Sequence, residues 1–357
     1  MSSNRIVNTE SSALEFLKSR IGDFAVQWSI YVATKLKIAD LLHDGPRGAD
    51  FLAENANANP RILFDVLRTL VAHEILEETE DGLFSLNEIS SALQTEKFGR
   101  IILSWFEVDL PCWSKILYTV TTGGPAFNLI YDEDYYDYCS RHPTYDEAND
   151  YFLSEWAEKT ANNVLNAYDF TSISGTIVDI GGNRGTLLSK IVESNPKLNG
   201  ILFDRAEVIQ RAKSNQTLTS LPMSQYQLVS GDFFVSVPAS GDIYIAKWLT
   251  PDWDDEELVK IFGNCRVAMR NDAKLLVIDI LMNTLRKDPT PMIMDLTARI
   301  FGRGQERTEE EVRQILTVAG FEVTRVIPTE GPFSIIEATP RERVGLKIMK
   351  ETPHLRP

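Results

Sequence analysis

Thr176-Ile-Val-Asp179-Ile180 runs directly into Gly181-Gly-Asn-Arg-Gly185, and that turn opens a helical stretch, Thr186-Leu-Leu-Ser-Lys-Ile-Val192. A short apolar strand, a glycine-rich turn and a helix in this order begin an α/β unit. Glycines in such a turn allow positive φ and let the backbone approach a ligand closely, which is how nucleotide-like groups are held at the carboxyl end of a first parallel strand. Alone, the loop reads equally well as a tight structural turn. Asp204, at the end of the next apolar run Gly200–Phe203, strengthens the nucleoside reading, because a carboxylate there can accept hydrogen bonds from both ribose hydroxyls. The plain alternative for Asp204 is a solvated acid.

Outward from this unit the same texture continues. Candidate strands at Tyr226–Val229, Ile243–Lys247, Lys274–Asp279 and Glu322–Pro328 alternate with longer amphipathic stretches, as parallel βαβ units require. A helix is expected from Thr308, which can cap the amide three residues on while Glu311 reaches back, to Gly320, with Val312, Ile315, Leu316 and Ala319 facing inward. Before Ser174-Gly175 the apolar spacing is helical: Ala33, Leu36, Ile38 and Leu41, then Leu63, Val66, Leu67, Leu70 and Val71. There Asp81-Gly82 lies between short semi-alternating runs and predicts a β-hairpin, which after several helices makes a winged-helix unit. From Ile101 to Tyr168 the helical pattern is rich in aromatics, among them Trp105, Trp113, Phe152 and Trp156. Each reads either as core or as the wall of a pocket for a flat molecule. The chain thus divides into a helical part, 1–168, an α/β part, 169–340, and a polar tail, 341–357.

At 357 residues, 43% hydrophobic and 24% charged, the chain is long enough for two cores and ordinary in composition. It has no run of about 18 apolar residues to span a bilayer, and its polar opening lacks the apolar stretch of a secretory signal. A cytoplasmic protein with no membrane partner is expected. Cys112, Cys139 and Cys265 are far apart and read as reduced thiols, and no ligand-spaced cluster calls for a metal. A formal charge of −15 works against a phosphate backbone, so the winged-helix look is not read as nucleic-acid binding.

Five stretches resemble, in order and spacing, the successive motifs of class I S-adenosylmethionine-dependent small-molecule O-methyltransferases. They are Val178-Asp-Ile-Gly-Gly-Asn-Arg-Gly185, Leu202-Phe-Asp204, Ser230-Gly-Asp-Phe-Phe234, Tyr244-Ile-Ala-Lys-Trp-Leu-Thr-Pro-Asp-Trp253 and Gln305-Glu-Arg-Thr308. Tyr31-Val-Ala-Thr-Lys-Leu-Lys-Ile-Ala-Asp-Leu-Leu42, with Gly241-Asp-Ile-Tyr244 and Gly263-Asn-Cys-Arg266, is similar to the bacterial phenazine-1-carboxylate N-methyltransferase branch of that family. The resemblance implies a Rossmann-like catalytic domain and an N-terminal winged-helix-like dimerisation domain that contributes to the substrate pocket. It also implies a homodimer, S-adenosyl-L-methionine as cofactor and a small-molecule substrate. By the same resemblance Asp179 and the turn of Gly181, Gly182 and Gly185 face the methionine part and Asp204 the ribose, with Arg205 beside it. Asp232 and Phe233 face the adenine, and Lys247 the far side of the adenosine pocket. Asn183 departs from the usual glycine, but asparagine tolerates left-handed geometry well. The acceptor pocket would draw on Trp105, Asp109, Trp113, Phe152, Trp156 and Asp295, and the catalytic set on Asp279, Glu306 and Arg299. Arg299 reads either as facing an anionic or carbonyl group of the acceptor or as solvent-exposed.

Pro251 is the informative departure. Family members with general-base chemistry carry a histidine there, and this chain has only His43, His73, His142 and His354, with none between the last two. His142 reads as a surface residue rather than a base. The two supporting carboxylates are Asp279, shortened from the usual glutamate, and Glu306. Losing a general base costs about 10²–10⁴-fold in rate, while positioning of the nucleophile survives. The expectation is O- or N-methylation of a small aromatic or polyketide-like secondary metabolite, easiest for a nucleophile that needs no deprotonation. The alternative is a non-methylating enzyme of the same fold, of pericyclase, decarboxylase or hydroxylase type, that uses the sulfonium electrostatically. A third reading is a non-catalytic partner protein.

Overall fold

The computed structural model describes residues 9–282 and 289–342, so His354 and most of the expected tail lie outside the described residues. Two compact units form, Met1–Ser114 with His142–Asn149, and Lys115–Arg141 with Asp150–Pro357. Residues 115–141 and 150–168, grouped with the helical part in the sequence reading, cluster with the second unit.

The first unit is built on helices Thr9–Lys35, Ile38–Leu41, Ala49–Asn55 and Pro60–Ala72. The last starts where the sequence provides both start signals: Pro60 in the first turn and Asn59, whose side chain accepts the Ile62 amide at 3.1 Å. It buries Leu63, Leu67 and Leu70 against Ile38, Leu42 and Leu52. The anticipated hairpin is present as β1 (Glu77–Glu78) and β2 (Phe84–Ser85), with Gly82 in the left-handed region that a tight turn needs. Beyond it, π-helical turns at Thr95–Gly99 and Trp105–Asp109 flank the helix Arg100–Ser104.

The second unit carries a sheet of β3 (Gly175–Ile180), β4 (Leu198–Asp204), β5 (Tyr226–Ser230), β6 (Ile243–Lys247), β7 (Lys274–Ile280), β8 (Phe321–Pro328) and β9 (Phe333–Pro340). Its order is β5-β4-β3-β6-β7-β9-β8, parallel from β5 to β7 and antiparallel through β9 and β8. Successive strand residues serve opposite faces: Ile177, Ile243 and Leu276 pack into one core, Val178, Tyr244 and Val277 into the other. A sheet buried on both faces is why these strands read as continuous apolar runs. The helix Glu309–Val318 starts at Thr308, whose hydroxyl accepts the Glu311 amide while Glu311 accepts the Thr308 amide at 2.8 Å. The sequence reading did not anticipate β9, and Glu322–Pro328, taken there as part of a parallel βαβ series, forms an antiparallel edge strand instead.

Candidate active site

The glycine turn hangs from the carboxyl end of β3. Gly181, Asn183 and Gly185 all have positive φ, of 66°, 51° and 75°. Gly182 needs its missing side chain for a different reason, since a Cβ there would lie 2.5 Å from both Asp179 Oδ2 and Leu202 Cδ1. Asp204 ends β4 with its carboxylate fixed by two backbone amides, Asn183 at 3.0 Å and Arg205 at 2.7 Å. Each oxygen keeps a further lone pair for a ligand hydroxyl. Arg205 is half-exposed, paired with Glu207 at 3.2 Å and seated over the Tyr136 ring at 5.5 Å.

Along the same sheet edge, Asp232 is exposed and its Oδ1 accepts the Phe234 amide at 2.8 Å. Phe233 meets Trp253 edge to face at 5.7 Å, presenting an apolar wall. At the end of β6, Lys247 lies over the Phe333 ring at 4.4 Å. Burial lowers its ammonium to about 8, against the pull of Asp179 and Asp279. Burial raises Asp179 to about 7, which Lys247 partly opposes. A buried carboxyl beside a partly desolvated ammonium, a bare glycine turn and a braced carboxylate form a donor and acceptor set that suits an amino-acid-bearing nucleoside.

The residues next to Lys247 form the second half of the site. Trp248 adopts left-handed backbone, φ 51°, which costs a bulky residue about 1–3 kcal/mol. Three contacts hold it there. Its amide donates to Ile278 O at 2.8 Å, its indole Nε1 donates to Glu306 Oε1 at 3.3 Å, and its ring stacks on Trp156 at 5.8 Å. Asp279 and Glu306 are buried, at 1% and 4% exposure. Neither Asp279 oxygen, nor Glu306 Oε2, nor the Trp156 indole nitrogen has a hydrogen-bond partner. Burial raises Asp279 to about 7, with Thr250 and Lys247 drawing it back. Burial first, and then the Asp279 charge, raise Glu306 to about 9.

Asp295 and Arg299 support this pair from beside it. Asp295 Oδ1 accepts the Glu306 amide at 3.0 Å, and its Oδ2 takes Arg299 Nε at 3.0 Å. Arg299 also donates to Gln305 Oε1 at 2.9 Å and is exposed, so it braces the loop carrying Glu306. Pro251 is buried in the short 3-10 turn Thr250–Asp252, and only a glycine fits at 304, where a Cβ would overlap Pro251 O. Arg307 ties this turn down from within, donating to Thr250 O at 2.6 Å, Trp253 O at 2.8 Å and Asp255 Oδ1 at 2.7 Å.

Of the acceptor-pocket candidates, Phe152 and Trp156 lie in the second unit, 6.2 Å apart ring to ring. Trp105, Asp109 and Trp113 lie in the first. There Asp109 accepts the Tyr145 hydroxyl at 2.8 Å and burial raises its carboxyl to about 7. Trp105 packs edge to face on Phe98. The sequence reading gave no role to Trp248, Arg307 or Asp150. Trp248 and Arg307 stood inside quoted motifs, so a signal was present. Asp150 had none: its buried carboxylate takes Arg184 Nε of the glycine turn at 2.6 Å across a long separation in sequence. Among the described residues, no group of three His, Cys, Asp or Glu side chains is placed to hold a metal, and no helix is long and apolar enough to cross a membrane.

A model of the O-methyltransferase domain matches residues 113–322, and a model of the O-methyltransferase dimerisation domain matches residues 20–96. The chain belongs to the O-methyltransferase family. This O-methyltransferase is 34% identical over 327 residues to the phenazine O-methyltransferase PhzM of Lysobacter antibioticus, covering 91% of this chain and 95% of that one. It is 30% identical over 302 residues to the phenazine-1-carboxylate N-methyltransferase of Pseudomonas aeruginosa, covering 84% and 89%. The solved structure of LaPhzM matches with a TM-score of 0.84 at 34% identity, covering 92% of this chain and 99% of that one. CalO1, a methyltransferase in calicheamicin biosynthesis solved with S-adenosylhomocysteine bound, matches with a TM-score of 0.73 at 27% identity, covering 95% and 100%. The family resemblance, the Rossmann-like class I fold and the winged-helix-type N-terminal domain expected from the sequence are borne out. The O-methyltransferase uses S-adenosyl-L-methionine and is a methyltransferase.

Proposed function

We propose that this methyltransferase alkylates an oxygen or nitrogen of a small aromatic or polyketide-like secondary metabolite without a histidine base. The observation that carries the reading is the buried pair Asp279 and Glu306, with Glu306 Oε2 left without a partner, in a site that has Pro251 in place of a histidine. The relatives named for phenazines support an aromatic acceptor.

S-adenosylmethionine supplies an electrophilic methyl on a sulfonium. Asp179 and the Gly181–Gly185 turn bind its amino-acid part, Asp204 its ribose, and Asp232 with Phe233 its adenine. Lys247 closes the adenosine pocket, and Arg205 lies at its rim. Asp279 and Glu306 orient the acceptor, while Asp295 and Arg299 hold the Glu306 loop in place. Phe152 and Trp156 supply flat apolar walls. The protein works as a cytoplasmic homodimer, with the exposed apolar side chains of the helix Thr9–Lys35 covered by a second copy.

The test follows S-adenosylhomocysteine release over a panel of hydroxy- and aminoarenes graded in acidity. Ring nitrogens and acidic phenols are expected to react faster than weakly acidic phenols. Pro251→His is expected to raise the rate on weakly acidic phenols by about tenfold or more. An isomerised or decarboxylated product with the cofactor unconsumed would instead favour the non-methylating reading that Pro251 also allows.

A further inference from the structure

Around Trp248, Glu306 Oε2 and Trp156 Nε1 are buried with no partner, and neither oxygen of the buried Asp279 makes a close hydrogen bond, Thr250 alone drawing on that carboxylate from nearby. A buried polar group left unpaired is costly, so several in one place describe the negative image of a ligand. Their chemistry is not symmetric. The indole nitrogen can only donate. Two buried carboxyls that sense each other's charge do not both ionise, so across the neutral range the pair keeps a proton. Glu306 is the holder: burial raises it most, the charges of Asp279, Asp252 and Asp295 add to that, and the Trp248 N–H opposes them. The nearby cation Arg299 is bound to Asp295, and Lys247 acts on Asp279. Glu306 Oε2 therefore donates and Asp279 accepts.

We propose that the acceptor is an arene whose reacting O–H or N–H sits next to a ring nitrogen or carbonyl oxygen. Asp279 accepts the proton of the reacting group, and the Glu306 carboxyl donates to its neighbour. This rests on the methyltransferase reading and deepens it. In the reaction the new O–C or N–C bond forms as the sulfonium carbon–sulfur bond breaks, the sulfur keeping the bonding pair. The acceptor's proton passes to the Asp279 carboxylate and from there to water. Asp279 thus stands in for the side chain that Pro251 cannot provide, and Trp156 offers its N–H to a second oxygen or ring nitrogen of the same acceptor.

The experiment uses protein loaded with S-adenosylhomocysteine and two probes, 1-aminophenazine, whose amino group neighbours a ring nitrogen, and 2-aminophenazine, whose amino group does not. Neither amino group ionises from neutral to alkaline pH. Binding is read from quenching of tryptophan fluorescence. The 1-isomer is expected to bind about tenfold more tightly, the worth of one hydrogen bond to a buried group. In the parent protein that preference fades as pH rises toward about 9 and Glu306 loses its proton. Glu306→Gln, whose amide donates at every pH, is expected to keep the preference there. Equal binding of the two isomers, no binding of either, or the same alkaline loss in Glu306→Gln would overturn the proposal. Calorimetry of S-adenosylhomocysteine binding to both proteins in parallel separates these outcomes from a failed fold or a failed cofactor reading.

Discussion

Glu306 is an acid kept where an acid is costly. Its carboxyl is 4% exposed and raised to about 9, chiefly by burial. The folded protein therefore holds a proton that the unfolded chain releases in the ordinary Glu range. Stability from this group is fully present below that range and is lost as pH climbs toward about 9. Asp279 and Asp179, both raised to about 7, act in the same direction. Glu306→Gln should flatten the alkaline decline and raise Tm near pH 9, by about 2–4 °C for each kcal/mol recovered. A thermal-melt series showing identical slopes would count against a buried, protonated Glu306. At Gly182 the reverse holds: Gly182→Ala puts a methyl 2.5 Å from Asp179 Oδ2 and Leu202. Overpacking of this kind costs about 1–3 kcal/mol and is expected to weaken S-adenosylhomocysteine binding at least tenfold by calorimetry. The turn was legible at this scale because glycine and asparagine are chosen for backbone geometry that neighbours in sequence reveal. The orphaned oxygens of Asp279 were not, because what fails to touch them comes from distant segments.

Among elements, the 3-10 turn Thr250–Asp252 depends on a side chain from elsewhere. Arg307, 1% exposed, satisfies Thr250 O and Trp253 O and also holds Gln305 O at 3.2 Å, next to Glu306. Arg307→Met keeps most of the volume and strands those carbonyls, so a loss of about 2–4 kcal/mol is expected in urea unfolding. A loss below about 0.5 kcal/mol, the size of an ordinary surface change, would show that the turn holds itself. Strands and caps with local signals were readable, as at Thr308 and Glu311. The strand β9 was not, because its apolar run is broken by Glu337. That buried carboxylate is held down to about 2 by Arg325, Tyr168, Thr324 and Lys274. An acid inside a sheet reads as a loop until partners from three other segments are brought to it.

For the whole molecule, the helix Thr9–Lys35 leaves Leu14, Phe16, Leu17, Ile21, Phe24 and Trp28 exposed, a contiguous run of apolar side chains of the kind that marks an interaction surface. Ile21→Glu with Phe24→Glu is expected to convert a dimer to a monomer by light scattering, and an unchanged mass would contradict the homodimer. The division into a helical and an α/β part was visible in the change of apolar period near Ser174. The grouping of residues 115–141 with the sheet was not, since helical spacing says which face is buried and not against what. The function proposed for the molecule is methyl transfer by a site that has Pro251 where a base would stand. Its most direct measurement incubates the protein with trideuteromethyl-labelled S-adenosylmethionine and 1-hydroxyphenazine, following product mass and S-adenosylhomocysteine together. A product carrying the labelled methyl with equimolar S-adenosylhomocysteine is expected; recovery of unlabelled material with the cofactor intact would rule out methyl transfer to this acceptor.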